Sequence, residues 1–149
     1  MLIPIIMGSK SDSTHAEKIA QKLKEFGIES KTYIASAHKV PEKVLEIIAS
    51  YEKGTEKICY ITIAGRSNAL SGFIAANTAY PVIACPPFAD KTDMMVNLNS
   101  TIQMPSDTPV LTVIDAGNAA LAAARILGLA DDKLLSKNRE YIIKMKANF

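Results

Sequence analysis

The sequence contains no tryptophan, only two histidines and two cysteines, and almost no net charge. Its 17 Lys and Arg residues are balanced by 15 Asp and Glu residues, which leaves a formal charge of +2 at pH 7. A nucleic-acid-binding domain normally shows a concentrated basic face. No apolar run approaches the ~20 residues of a membrane span, and residues 1–6 lack the basic segment of a secretory signal. We therefore expect a cytoplasmic protein that binds neither nucleic acid nor membranes.

Cysteine usage supports the same compartment. Cys59 and Cys85 both lie in apolar, strand-like runs, and neither has a metal-ligating neighbour in the sequence. Such residues are typical of buried thiols in a reducing cytosol. The two histidines do not form a ligand pair either, so the sequence predicts no metal site.

What the chain does have is a globular composition, with 48% hydrophobic and 21% charged residues. At roughly 100–200 residues per domain, a length of 149 residues predicts one domain, residues 1–149. Short apolar runs alternate with segments of helical periodicity. Strands are predicted over residues 2–7, 30–35, 58–64, 81–85 and 110–114, and helices over 16–26, 41–51, 70–77, 93–100, 116–127 and from 131 onward. This alternation predicts a three-layer α/β/α domain of flavodoxin-like or Rossmann-like type, built on a parallel sheet.

The last helix, over residues 131–149, is an addition to that pattern. It carries apolar residues along one side, at Leu134, Leu135, Ile142 and Met145. The preceding helices already suffice to cover both faces of the sheet. We therefore expect this helix to pack on a neighbouring subunit.

In open α/β sheets, ligands bind beyond the carboxyl ends of the strands. The first polar loop at that edge spans residues 8–12 and precedes a helix, where free N–H groups favour an anion. Ser9, Ser11 and Asp12 could bind a phosphate and sugar hydroxyls, or Ser11 or Asp12 could simply cap the helix. Composition and spacing leave both alternatives open.

The second loop, residues 36–39, contains Ser36, His38 and Lys39. An imidazole titrates near neutrality and can move a proton, while a neighbouring lysine can hold a phosphate. A hydrogen-bonded loop histidine is the alternative, but the position between a hydroxyl and a cation favours function. His15, on the first helix, is expected at a solvated or interface position.

The third loop, residues 65–68, combines a glycine that allows close approach of a ligand with several donors. Gly65 is followed by Arg66, Ser67 and Asn68. A ligand-binding loop and an ordinary polar turn explain this pattern equally well.

Taken together, these loops and the later tripeptide Gln103-Met104-Pro105 resemble the PurE family of purine biosynthesis, from residue 3 to about residue 129. In the family's N5-carboxyaminoimidazole ribonucleotide mutases the third loop reads Ala-Gly-Gly-Ala-Ala-His-Leu-Pro-Gly, and arginine follows the second-loop histidine. This chain has Arg66-Ser67-Asn68 and Lys39 instead, and Cys85-Pro86-Pro87 follows its fourth strand. In these respects it is similar to the second subfamily, the 5-aminoimidazole ribonucleotide (AIR) carboxylases.

The resemblance implies a reaction and a set of roles. AIR and CO2 would give 4-carboxy-AIR on the route to IMP, without ATP, metal or other cofactor, in a homo-octamer or homotetramer. Ser9, Ser11 and Lys39 would bind the phosphate, Asp12 the ribose, and His38 would move the proton at C4. The ring and the new carboxylate would be surrounded by Ser36, Gly65, Arg66, Ser67 and Asn68.

Two other functions stay open. One is the mutase reaction, which starts from N5-carboxy-AIR. The other is a non-catalytic nucleotide or phosphate sensor with the same anion-binding loop, which would need no base at His38.

Overall fold

A computed structural model describes residues 1–148, and within them five strands and six α-helices alternate along the chain. The strands are β1 (Leu2–Met7), β2 (Glu29–Ile34), β3 (Tyr60–Ile63), β4 (Val82–Ala84) and β5 (Leu111–Thr112). The helices are α1 (Ser13–Glu25), α2 (Pro41–Glu52), α3 (Ala69–Ala75), α4 (Lys91–Ile102), α5 (Ala116–Gly128) and α6 (Asp132–Lys146). A 3₁₀ turn, Lys10–Asp12, precedes α1.

The five strands form one parallel sheet in the order β2-β1-β3-β4-β5. After β1 the chain continues to β2 at one edge of the sheet, whereas after β3 it continues to β4 towards the opposite edge. This order is that of a flavodoxin-like fold, and it confirms the predicted α/β class. The connections leaving β1 and β3 diverge, which opens a crevice at the carboxyl ends of these two strands.

Helices cover both faces of the sheet, and β1 contributes to both hydrophobic clusters. Ile3 and Ile5 pack on the side of α1 and α5, whereas Ile6 packs on the side of α2 and α3. Successive side chains of a strand point to opposite faces, so a strand buried on both needs an unbroken apolar run. That is the reason for the uninterrupted apolar sequence of β1.

Three strands are shorter than their apolar runs predict. The run over residues 58–64 yields only β3, Tyr60–Ile63, although Ile58 and Cys59 are also buried. The run over 81–85 yields only the three residues of β4, and the run over 110–114 only the two residues of β5, which pairs with β4 alone. Burial accounts for the apolar character of Ile58 and Cys59, whereas a strand also requires a neighbour at ladder distance.

The final helix packs on α5 and on the cluster around α1 in its own chain, so the expectation that it has nothing to cover there is wrong. Leu134 is 3% exposed and belongs to the cluster around α1 and α5. The amide of Asn138 donates to the carbonyl of Ala124 (3.0 Å), and the Tyr141 ring packs 5.3 Å from that of Phe26. The predicted apolar side of this helix is only partly buried, because Met145 remains 45% exposed. A contact of this helix with another subunit stays a prediction.

Within residues 1–148, we find no helix that combines the length and the apolar character needed to cross a membrane.

Candidate active site

The first loop leaves the sheet at the crevice between β1 and β3. Its Gly8 N–H still donates to the Ile63 carbonyl (2.9 Å), so the loop starts against β3. Ser9 caps the 3₁₀ turn, since its Oγ accepts from the Ser11 N–H (3.2 Å) and from the Ser11 hydroxyl (2.8 Å). Capping is thus the local role of Ser9.

Asp12 stands immediately before α1, yet its side chain makes no capping bond to that helix. The carboxylate is instead half-buried beside the crevice. Burial raises the pKa of Asp12, while bonds from Ser11 and the Ser9 backbone and the charge of His15 oppose that rise. A carboxylate that is not used by its helix is available to hydroxyl groups of a ligand.

The second loop is a tight turn that presents His38. The N–H groups of Lys39 (3.2 Å) and Val40 (2.9 Å) donate to the carbonyl of Ser36. Pro41 then begins α2, where a missing N–H costs nothing. His38 and Lys39 are both exposed at the turn, so an incoming ligand can reach them.

The third loop is held from behind by α4. Arg66 has a φ of 54°, a left-handed conformation uncommon for residues other than glycine. Its N–H donates to Oδ1 of Asn97, and the N–H of Asn68 donates to the Ser100 hydroxyl (2.8 Å). Arg66 and Ser67 themselves are exposed.

The side chain of Asn68 was expected at the ligand, and here the structure differs. It is 5% exposed and caps α3 by accepting from the Ser71 N–H (3.2 Å) and hydroxyl (2.9 Å). Its amide donates to the Thr101 hydroxyl (3.0 Å). Residue 68 precedes a helix, and asparagine is among the best capping residues, so the cap takes its oxygen. Asn68 therefore shapes the third loop from inside.

All three loops meet in one cleft of about 140 Å³ at the carboxyl edge of the sheet. It is lined by Gly8, Ser9, Asp12, Ser36, Ala37, His38, Ala64, Gly65, Ser67 and Leu70. Four of the residues predicted for the site are not part of this lining: Ser11, Lys39, Arg66 and Asn68. The arrangement brings an imidazole, a carboxylate and several hydroxyls to one small space.

His15 is half-buried within its own chain, so it is not at a fully solvated position, and the alternative of an interface position stays a prediction. Its Nε2 lies 3.2 Å from Sγ of Cys85. Burial lowers the pKa of His15, as does Lys18, while Asp12 and Asp115 act in the opposite direction. A larger cavity of about 600 Å³ lies beside His15, but no residue of the three loops lines it.

Neither cysteine provides a reactive thiolate. Both are buried free thiols, as predicted, and burial raises the pKa of each to about 12. Across residues 1–148, no three His, Cys, Asp or Glu side chains are grouped as a metal ion would require. The residues that line the cleft offer acid–base groups, His38 and Asp12, and hydrogen-bonding serine hydroxyls.

The supporting residues on α4 are absent from the sequence prediction. Asn97 and Ser100 fall within the helix predicted over residues 93–100, and Thr101 lies just after it. Their spacing of three and four places them on one side of a helix, which was the available signal. Sequence alone does not say that this polar side is the buried one.

A doubly wound parallel sheet with a polar cleft at its switch point defines a flavodoxin-like α/β protein with a small-molecule site. The family model described as AIR carboxylase matches residues 2–148, and the chain belongs to this family of purine-biosynthesis enzymes. This finding confirms the resemblance noted from the sequence.

Individual relatives agree with the assignment. The chain is 52% identical over 144 residues to a phosphoribosylaminoimidazole carboxylase of Archaeoglobus fulgidus, covering 97% of this chain and 76% of that protein. It is 47% identical over 147 residues to an N5-carboxyaminoimidazole ribonucleotide mutase of Methanocaldococcus jannaschii, covering 97% and 90% of the two chains. The crystal structure of Treponema denticola PurE superposes with a TM-score of 0.94 at 44% identity, covering 99% and 92%.

Proposed function

We propose that this enzyme carboxylates AIR at C4 with CO2 to give 4-carboxy-AIR. Overall identity does not separate this reaction from the mutase reaction, because relatives named for each are about equally similar. The observation that carries the proposal is the third loop, where Arg66 and Ser67 stand in place of the small residues of the mutase loop. These side chains enlarge the set of donors beside the cleft.

The strain at Arg66 adds support. A left-handed arginine costs of order 1–3 kcal/mol, and such outliers cluster at functional sites. Its guanidinium does not line the cleft of one chain, but it is exposed on the same loop as Gly65 and Ser67, which do. It is well placed to attract an anionic substrate and to stabilise a carboxylate as it forms.

The chemistry needs one base and no covalent nucleophile. C4 of AIR, an enamine-like carbon, forms a bond to the carbon of CO2, and the electron pair of one C=O bond moves to oxygen. The resulting tetrahedral C4 still carries a hydrogen. His38 removes this proton, and the electron pair of the C–H bond restores the aromatic ring.

We assign the remaining roles as the family resemblance implies them. Ser9 and Ser11 at the first loop, with Lys39 from the second, bind the phosphate of AIR. Asp12 accepts hydrogen bonds from the ribose hydroxyls, which its freedom from a capping role permits. Ser36, Gly65 and Ser67 contact the ring and the carboxylate.

The mutase reaction is the second candidate, favoured by the 47% identical Methanocaldococcus relative. It would begin from N5-carboxy-AIR and require the released CO2 to stay in the cleft.

One experiment separates the carboxylase reaction from the mutase reaction. The purified enzyme is incubated without ATP, in one run with AIR and bicarbonate and in another with fresh N5-carboxy-AIR. Carbonic anhydrase in both runs keeps CO2 and bicarbonate at equilibrium.

We expect product formation in the first run, at a rate that follows the CO2 concentration. Rapid product only from N5-carboxy-AIR, beyond its spontaneous decarboxylation to AIR, would identify a mutase. No product in either run would refute both reactions.

We further propose that the chain is one catalytic domain that works as a homo-octamer or homotetramer in the cytoplasm. Ligand pockets usually measure about 300–1,000 Å³, whereas the cleft of one chain measures about 140 Å³. A neighbouring copy that closes over the cleft would complete it. The buried free thiols suit a reducing compartment.

A further inference from the structure

Helix α4 buries polar residues and exposes apolar ones. Its buried residues are Asn97 and Thr101, whereas Met95 and Val96 are 51% exposed and Ile102 is 57% exposed. A surface helix normally buries its apolar side. The reversal shows that the inner side of α4 is used for polar contacts, and these contacts are directed at the third loop.

Asn97 makes the central contacts. Its Oδ1 accepts from the N–H of Arg66 (2.5 Å), and its Nδ2 donates to the carbonyl of Pro87 (2.7 Å). One buried amide thus joins the loop after β3 to the loop after β4. A side-chain amide suits this bridge because it offers an acceptor and a donor from one planar group.

Asn97 also packs directly on the wall of the cleft. A Cβ atom at Gly65 would lie 3.0 Å from Nδ2 of Asn97 and 3.2 Å from its Cγ. Glycine at this position therefore lets the amide sit against the backbone. Since Gly65 also lines the cleft, the same short stretch of main chain contacts Asn97 and borders the space that a ligand would occupy.

The conformation of Arg66 depends on the same contact. Left-handed backbone is unfavourable for a residue with a Cβ, so the loop needs an interaction that holds it there. The bond from the Arg66 N–H to Asn97 acts on the strained residue itself. Loss of this acceptor would leave Arg66 free to relax to negative φ, which would move Gly65 and Ser67 on either side of it.

We propose that Asn97 is a positioning residue, which holds residues 65–67 in the conformation that contacts the reacting carboxylate. The inference rests on the proposed function, in which the third loop faces the group transferred to C4. The phosphate and ribose are assigned to the first and second loops. Because Gly65 and Ser67 also contact the ring in that assignment, loss of Asn97 should lower kcat at saturating substrate by a larger factor than it raises the KM for AIR.

Three variants test this. Asn97→Leu has a similar volume but neither bond. Asn97→Asp keeps an acceptor for Arg66 and gives up the amide donor. Asn138→Leu is the matched control, because Asn138 is also buried and also donates to a main-chain carbonyl, but on α6 and away from the cleft. Turnover is measured with whichever of AIR or N5-carboxy-AIR the wild type consumes, so a wrong choice of substrate leaves this test intact.

We expect Asn97→Leu to lower kcat by up to about 100-fold, the scale of a misplaced catalytic group, with a much smaller rise in the KM for AIR. Asn97→Asp should recover most of that loss, and Asn138→Leu should lower thermal stability without lowering kcat. Hydrogen–deuterium exchange at the Arg66 amide gives a readout independent of activity. It should be faster by at least about tenfold in Asn97→Leu and close to wild type in Asn97→Asp.

Equal kcat in Asn97→Leu and Asn138→Leu would overturn the proposal. So would a loss of kcat with unchanged exchange at Arg66. If Asn97→Leu does not fold, Asn97→Ala takes its place as the variant without either bond. Equal loss of kcat in Asn97→Asp and Asn97→Ala would then refute a role for the Arg66 bond.

Discussion

His38 lies on a turn closed by two hydrogen bonds to the carbonyl of Ser36, so the backbone beneath it is fixed while the side chain remains accessible. A general base needs both properties, since it must meet the reacting carbon without a large rearrangement. His15, the second histidine, is instead packed against Cys85. The two imidazoles therefore have different environments in one small chain.

We predict that His38→Asn lowers kcat by about 10²–10⁴-fold, the usual range for loss of a positioned base, and leaves AIR binding intact. Steady-state kinetics and calorimetric titration with AIR measure the two effects. His15→Asn serves as the control, because it removes an imidazole that does not line the cleft. Comparable turnover in the two variants would contradict the assignment of His38.

At the scale of elements, the helices differ in what holds them. Six of the 13 residues of α5 are alanine, and five of them are buried against α1 and the sheet, whereas α6 buries only Leu134 and Asn138. The N-terminus of α6 is capped by Asp131, whose Oδ1 accepts from the Leu134 N–H (2.7 Å). This cap lies next to Leu134, the residue through which α6 enters the core.

We expect Asp131→Ala to lower the free energy of unfolding by about 1 kcal/mol, as is usual for loss of an N-cap. Urea unfolding followed by circular dichroism, at one fixed protein concentration, measures the change. Asp131→Asn should be close to wild type because asparagine caps equally well. Since no residue of α6 lines the cleft, kcat should be unchanged in both variants. A loss of activity in Asp131→Ala alone would show that α6 acts on the site.

At the scale of the whole molecule, the reversed polarity of α4 leaves apolar side chains outside. Met95, Val96 and Ile102 are each more than half exposed, and Phe88 nearby is 45% exposed. Met95 and Ile102 are seven residues apart in α4 and therefore lie on one side of the helix, and an exposed apolar side of a helix is a candidate interface. Because the inner side of α4 supports the third loop, an interface on its outer side would couple oligomer formation to the conformation of the cleft.

Light scattering at micromolar concentration should accordingly give a mass of several chains. Met95→Glu places a charge on the exposed side of α4 and should reduce both the mass and the activity. Leu129→Glu makes the same change at a residue that is 84% exposed outside α4, and it should leave the mass as it is. A monomeric wild-type enzyme with full activity would refute the assembly.

The sequence by itself determined the alternation of strands and helices, the parallel sheet, and the three loops at its carboxyl edge. These features follow from local periodicity, because the pattern of apolar residues within a short segment indicates whether a strand is buried on both faces or a helix along one side. Only the tertiary structure decided that the amide of Asn68 meets Thr101, that α6 covers α5, and that Asn97 supports Arg66. Each of these depends on which polar atom or surface meets another far along the chain, and residue types at a given spacing do not specify that partner.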